Sequence, residues 1–248
     1  MFKPATGMHY HRFLRNLHDT TLLDWYMEIG CRDGSSFAPV RSKTIAVDPF
    51  FRVERNAIGA KPALHIFQQT SDDFFASGFL DALGIRLSLS FLDGMHLFEY
   101  LLRDVIQTER RSRPDGVIMM HDCCPFDHPM TTRDLNNIPE AAWTGDVWKL
   151  LPILKQYRPD LKIDVLDCKP TGLVMLSNLD PGNTALSDAY DKILADWVTV
   201  TLEDYGTARF FESFDYVSAR GQTHLGHPLL SRVKLDDSAA FNPVMLSS

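Results

Sequence analysis

The run Trp25-Tyr26-Met27-Glu28-Ile29-Gly30-Cys31-Arg32-Asp33-Gly34 constrains this chain more than any other stretch. A short apolar segment ends at two glycines, and a second apolar segment at 44–47 stops at Asp48. A strand, a glycine turn, a helix-length interval and a strand-end carboxylate describe a half-site for a nucleotide-like ligand. Glycine lets the backbone approach a ligand closely, and a carboxylate at the end of the second strand can accept both ribose hydroxyls.

Further apolar runs at 63–67, 87–92, 117–120, 162–166 and 172–176 have strand length. Between them, residues 7–23, 98–108 and 146–157 carry apolar positions at helical spacing. Ser71-Asp72-Asp73 reads as an N-cap with acidic residues in the first helical turn. Pro114-Asp115-Gly116 turns the chain into the fifth run, and the last two runs read as an antiparallel hairpin. Strands alternating with helices predict an α/β fold, an open and mostly parallel seven-stranded sheet with helices on both faces and a C-terminal hairpin. Residues 123–144 form a loop too long for a plain connection, so a lid or binding loop is expected. Residues 1–176 read as the domain. Residues 177–248 read as an extension, with one helix over 184–204 and then aromatics, Gly and Pro without a period, packed on the domain or swapped from it.

A chain of 248 residues suits one large α/β domain. Its net charge of −7 argues against nucleic acid as partner. The cluster Arg110-Arg111-Ser112-Arg113 reads as a solvated helix end. No apolar run approaches the ~20 residues of a membrane span, and the N-terminus shows no export signal. Cys31, Cys123, Cys124 and Cys168 lack the spacing of a disulfide framework or a zinc site. A reduced cytoplasmic protein, free of membrane, is the expectation.

The ligand is narrowed by what the glycine turn lacks. A dinucleotide site wants Gly-x-Gly-x-x-Gly, but Arg32 stands where the second glycine should be, and no Gly-Lys-Ser/Thr follows for a phosphate loop. What remains is Glu28-x-Gly30-x-x-x-Gly34, then Asp48, then Ser71-Asp72, then Asp93-Gly94-Met95-His96-Leu97-Phe98-Glu99 with Arg103-Asp104. Arg113-Pro114-Asp115-Gly116 leads through the fifth strand to His121-Asp122, and Gly145-Asp146-Val147-Trp148-Lys149 follows. Over about residues 20–176 this series resembles class I S-adenosylmethionine-dependent methyltransferases, of the methyltransferase-24-like subgroup. One departure is Asp115-Gly116, where the subgroup has two glycines.

The resemblance implies a Rossmann-like three-layer sandwich that binds S-adenosyl-L-methionine. It implies that Glu28 meets the cofactor's amino group, directly or through water, and that Gly30 and Gly34 give close approach. It places Asp48 at the ribose, Ser71 and Asp72 at the adenine, and Asp93 beside the cofactor. A hydroxyl acceptor must be aligned and deprotonated. Asp93, His96, His121 and Asp122 stand at the ends of strands four and five, where an open α/β sheet forms its crevice. Three arrangements stay open. His96 or His121 acts as general base. Alternatively Asp93 and Asp122, with His121, hold Mg or Mn, although metal-dependent relatives carry a carboxylate in the place of His121. In the third, these groups only cap strands and helices.

The expected activity is O-methylation of a small-molecule or sugar-like acceptor. A non-catalytic S-adenosylmethionine-binding assembly protein and a nucleotide-sugar or dinucleotide enzyme are the rivals. A homo-oligomer is compatible with the extension serving as an arm. Asp127, His128 and Asp134 lie in the long loop, solvated or touching an acceptor, His9, His11 and His18 read as surface residues or ligands, and Trp148 is expected in the core.

Overall fold

The computed structural model describes residues 1–235, so what the sequence suggests for 236–248 lies outside the described residues. The main strands are β1 (Trp25–Ile29), β2 (Lys43–Val47), β3 (Leu64–Phe67), β4 (Leu87–Leu92), β5 (Ser112–His121), β6 (Lys162–Leu166), β7 (Leu173–Ser177) and β8 (Tyr216–Val217). They form one sheet in the order β8-β6-β7-β5-β4-β1-β2-β3. β7 runs antiparallel to both β5 and β6, and every other pairing is parallel. The topology reverses at β1, which lies between β4 and β2, so the crevice of this sheet opens at the carboxyl ends of β1 and β4.

The expected seven strands are all present, but the sheet has eight. The extension contributes β8, which pairs with β6 through Tyr216 and Val217. Such a two-residue strand has no periodicity, so it is visible only once β6 offers its edge. The expected turn at 114–116 is instead a bulge within β5, since Leu87 pairs with Ser112 and Leu89 already pairs with Val117.

Parallel strands covered on both faces lack an in–out alternation. Leu87–Leu92 and the C-terminal half of β5 are accordingly buried throughout. Helix α1 (Tyr10–Thr20) covers one face, packing Phe13, Leu14 and Leu17 against Tyr26, Phe91 and Met119. Helices α2 (Ser71–Ala76), α3 (Phe98–Arg110) and α4 (Leu150–Tyr157) cover the other, around Met27, Ile29 and Ile118. The N-cap of α2 is Thr70, whose hydroxyl accepts from the Asp73 N–H, one residue earlier than Ser71.

The extension shares this core. Helix α5 (Tyr190–Trp197) is followed by Leu202–Tyr205 and Thr207–Glu212, so the single helix expected over 184–204 is broken into short pieces. Ile193, Leu202, Phe210 and Phe211 are buried in the α3–α4 layer, and the Trp148 ring lies 5.6 Å from that of Phe210. Arg158 and Glu109, both buried, form a bidentate pair, and Glu109 also accepts the Asp180 N–H at 2.9 Å.

His18 corrects its surface assignment. It is fully buried, edge-on to Tyr26 with ring centroids 5.0 Å apart, and neither ring nitrogen has a hydrogen-bond partner among the described residues. Burial, with Lys61 and His227 nearby, drives its pKa down to about 3. The unfolded chain therefore binds more protons than the folded one below the ordinary histidine pKa, and stability falls as pH drops below about 6.5. At pH 5 the expected loss is about 2 kcal/mol. His18→Leu, which removes the unpartnered polar atoms, should take away that share of the dependence in urea titrations at pH 7 and pH 5, leaving the share of buried His227, whose pKa is lowered to about 4.

Candidate active site

Gly30, just past β1, adopts φ 87°, and a Cβ there would lie 1.9 Å from the Asp93 carbonyl oxygen. Its N–H donates to the Val47 carbonyl at 2.9 Å, while the Asp93 N–H donates to Ile29 at 2.9 Å. The glycine thus brings the ends of β1, β2 and β4 into direct contact. Gly34 also has a left-handed backbone, φ 78°, and Arg32 between them φ 38°, so the turn curls tightly.

Asp48 caps this turn from β2. One carboxylate oxygen accepts the Arg32 N–H at 2.8 Å and the other accepts the Phe50 N–H at 2.6 Å. Each oxygen keeps a second lone pair. Glu28 is fully buried, and its two oxygens accept the hydroxyls of Tyr26 and Ser36. Burial pushes its pKa up to about 8 against those two hydrogen bonds. Asp72 forms a bidentate pair with Arg103 at 2.9 and 2.7 Å, and Arg103 also donates to the Tyr190 hydroxyl of the extension. Asp104 is buried close by, and burial pushes its carboxyl up to about 7.

At the ends of β4 and β5 the structure brings Asp93, His96, His121 and Asp122 together. The Nε2 atom of His96 lies 3.5 Å from Asp93 Oδ1 and 3.3 Å from Asp122 Oδ2. The Nδ1 atom of His121 lies 3.2 Å from Asp93 Oδ1 and 3.3 Å from Asp122 Oδ1. Asp93, His96 and Asp122 offer three ligand atoms within 4.8 Å of one another, so His96 rather than His121 completes the three-donor group with the two carboxylates.

Charge accounts for the protonation of the cluster. Burial opposes ionisation of Asp93, but the charges and hydrogen bonds of His121 and His96 outweigh it and hold the carboxyl far below its usual range. Burial also opposes the imidazolium of His121, and Asp122 and Asp93 outweigh it, lifting the pKa to about 10. His96 is raised on balance, its burial exceeded by Asp93 and Asp122. At neutral pH His121 therefore carries its proton and serves as a hydrogen-bond donor to two carboxylates.

Several supporting groups escaped sequence reasoning. The Trp143 carbonyl lies 2.8 Å from His96 Nδ1, and because a carbonyl only accepts, Nδ1 carries hydrogen and Nε2 is turned to the carboxylates. Gly145 has φ 50°, and a Cβ there would lie 1.6 Å from the His96 carbonyl oxygen. Asp146 accepts the Phe98 N–H at the start of α3 at 2.8 Å, together with Arg133 at 2.6 Å and Lys149 at 2.7 Å. The Gly145-Asp146 motif thus locks the His96 turn, and Arg133 ties down the 123–144 loop, which closes against the site rather than hanging free. Asp122 adopts φ 60°, uncommon outside glycine, while the Thr171 hydroxyl donates to its Oδ1 at 2.6 Å. Asp127 accepts the Met130 N–H and Asp134 caps an exposed turn, so neither joins the cluster. The Thr171 and Trp143 contacts have no local sequence signal. The Gly145-Asp146 pair did have one.

No protein-family model matches this sequence, and no curated protein matches it either. Among solved structures, cofactor-bound Rv0187 from MTB superposes with TM-score 0.52 at 12% identity, over 70% of this chain and 79% of that one. The O-methyltransferase TomG from Streptomyces achromogenes, solved with SAM, gives 0.49 at 15% identity over 67% and 76%. An O-methyltransferase from Bacillus cereus with SAH gives 0.45 at 14% identity over 67% and 79%. The superposition on Rv0187 shows a shared fold.

Proposed function

We propose that this chain is a class I S-adenosylmethionine-dependent methyltransferase of the methyltransferase-24-like kind, which methylates a hydroxyl of a small-molecule or sugar-like acceptor. The observation that carries the reading is the carboxylate–imidazole centre of Asp93, His96 and Asp122 joined through Gly30 to the turn that ends β1. Asp48, fixed by two backbone N–H groups with lone pairs to spare, suits a ribose diol. The acidic side chains of Asp93 and Asp122, at the ends of β4 and β5, suit a nearby sulfonium. Rv0187 was solved with a cofactor bound, and TomG, with SAM, is named an O-methyltransferase.

In the transfer, the acceptor oxygen attacks the methyl carbon in line with sulfur. The O–C bond forms, the C–S bond breaks, its electron pair stays on sulfur, and the hydroxyl proton passes to solvent water or, in the ion-free reading below, to His96 Nε2. The donor set fits a divalent cation: two acidic side chains and an imidazole whose Nε2 is turned inward by the Trp143 carbonyl. Asp93, Asp122 and His96 would hold that ion, which supplies Lewis acidity for the acceptor hydroxyl. The His nitrogen favours Mn over Mg. His121 is assigned as the donor that orients both carboxylates, because its Nδ1 lies 3.2 Å from Asp93 and 3.3 Å from Asp122.

A second reading rests on the same inward Nε2. Without an ion, His96 takes the hydroxyl proton at Nε2 while Nδ1–H stays on the Trp143 carbonyl. Calorimetry with S-adenosylmethionine and S-adenosylhomocysteine, with and without Mn, tests both readings. Binding of either cofactor form is expected, and binding of neither removes the methyltransferase reading. Turnover insensitive to chelation would leave only the His96 base.

A further inference from the structure

The N-terminal segment reaches the candidate site along a fixed path. Met8–His9 pairs in parallel with Cys168–Lys169, and the Asp167 carboxylate accepts the N–H groups of Thr6 and Gly7 at 2.6 and 2.8 Å. Gly7 has no room for a side chain, because a Cβ would lie 2.0 Å from the Asp167 carbonyl oxygen. The extension seats the same segment. The Tyr216 hydroxyl donates to the Lys3 carbonyl at 2.9 Å, and the Phe2 ring packs edge-on to Phe211 at 5.8 Å.

This path delivers Tyr10, the first residue of α1, onto His121. The two ring centroids are 3.9 Å apart with the planes tilted by 34°, and Phe91 lies 6.2 Å from each ring. The His121 ring is held by Asp93 and Asp122 at Nδ1 and approached by Thr171 Oγ1 at 3.5 Å from Nε2. Those contacts hold the ring at its two nitrogens, and the Tyr10 ring packed on its face opposes tilting about them.

We infer that Tyr10 is a positioning residue for the carboxylate centre, its ring holding His121 where one Nδ1–H serves both Asp93 and Asp122. This rests on the proposed function, in which those carboxylates hold the ion. Hydrogen-bond partners of metal ligands govern affinity because they fix the orientation of the ligand atoms before the ion arrives. The ring face does the holding, so the phenol hydroxyl is dispensable. The role of β8 and the 207–212 helix at this end of the molecule is to seat the segment that carries Tyr10.

The test uses the full chain and Tyr10→Ala, Tyr10→Phe and Asp167→Ala. Free Mn is followed by electron paramagnetic resonance, S-adenosylhomocysteine by calorimetry, and histidine ring protons by NMR. Tyr10→Ala should weaken Mn binding by about 10-fold or more, with Tyr10→Phe within about twofold of the unaltered chain. Asp167→Ala should move in the same direction by less, and it decides the matter if Tyr10→Ala fails to fold. The His121 ring protons should be shifted upfield by the neighbouring ring in the unaltered chain and in Tyr10→Phe, and lose that shift in Tyr10→Ala. Unchanged Mn affinity in Tyr10→Ala, or unmoved His121 signals, overturns the assignment. An unaltered chain that binds S-adenosylhomocysteine but no Mn removes the metal reading alone, and the ring signals then decide whether Tyr10 holds His121. An unaltered chain that binds neither removes the proposed function itself.

Discussion

Replacing Gly30 by alanine is expected to abolish binding of S-adenosylhomocysteine and to cost about 4 kcal/mol of stability, near the upper end for single substitutions. A left-handed backbone costs an L-residue about 1–2 kcal/mol. The larger share comes from the methyl group, which at 1.9 Å from the Asp93 carbonyl oxygen must push apart the ends of β1 and β4. That displacement moves Asp93 away from the glycine turn, so folding and binding fail together. Gly34→Ala makes the comparison. Its φ of 78° is also unfavourable, but the nearest atom to the added Cβ is a Phe37 ring carbon at 3.3 Å, so the loss should be confined to about 1–2 kcal/mol. Urea titrations and calorimetry of both variants check this. Equal stability of the two would show that the contact with Asp93 is not what fixes the turn.

Asp122→Asn should act oppositely, on chemistry and not on the fold. Asparagine tolerates a left-handed backbone as aspartate does, so φ 60° is no obstacle, and its side-chain oxygen can still accept from Thr171. What disappears is one full negative charge within 3.3 Å of both His96 and His121. Mn affinity should fall by about 100-fold or more and methyl transfer with it, since a neutral amide is a far weaker ligand than a carboxylate. The His121 pKa should also drop from about 10, because the charge that most supports its imidazolium is gone. Thermal unfolding within about 4 °C of the unaltered chain would establish that the loss is chemical. Retained Mn affinity in Asp122→Asn would remove this carboxylate from the proposed ligand set.

The readable part of the fold follows from local chemistry. Apolar runs ending at Gly30, Asp48, Asp93 and Asp122 mark strands whose carboxyl ends frame the candidate site, and helical spacing between them compels crossovers. Local pattern located every strand of the main sheet from 25 to 177, though not the short Cys168–Lys169 strand that pairs with Met8–His9. It failed at β8, where Tyr216–Val217 carries no period, and at His18, whose burial depends on a helix packing face across a sheet. It also took 114–116 for a turn, because a Pro-Asp-Gly run reads alike at a turn and at a bulge that strand pairing encloses.

The candidate site divides along the same line. The sequence by itself determined that four ionisable groups stand at two strand ends beside a glycine turn, since strand periodicity and residue type are local properties. Only the tertiary structure decided which imidazole joins Asp93 and Asp122, because that depends on the Trp143 carbonyl, 47 residues from His96, setting the direction of Nε2. It likewise decided that His121 keeps its proton and that Tyr10 lies on its face. Charge and packing sum over every neighbour in space, and those neighbours are brought together by chain segments that carry no sign of one another.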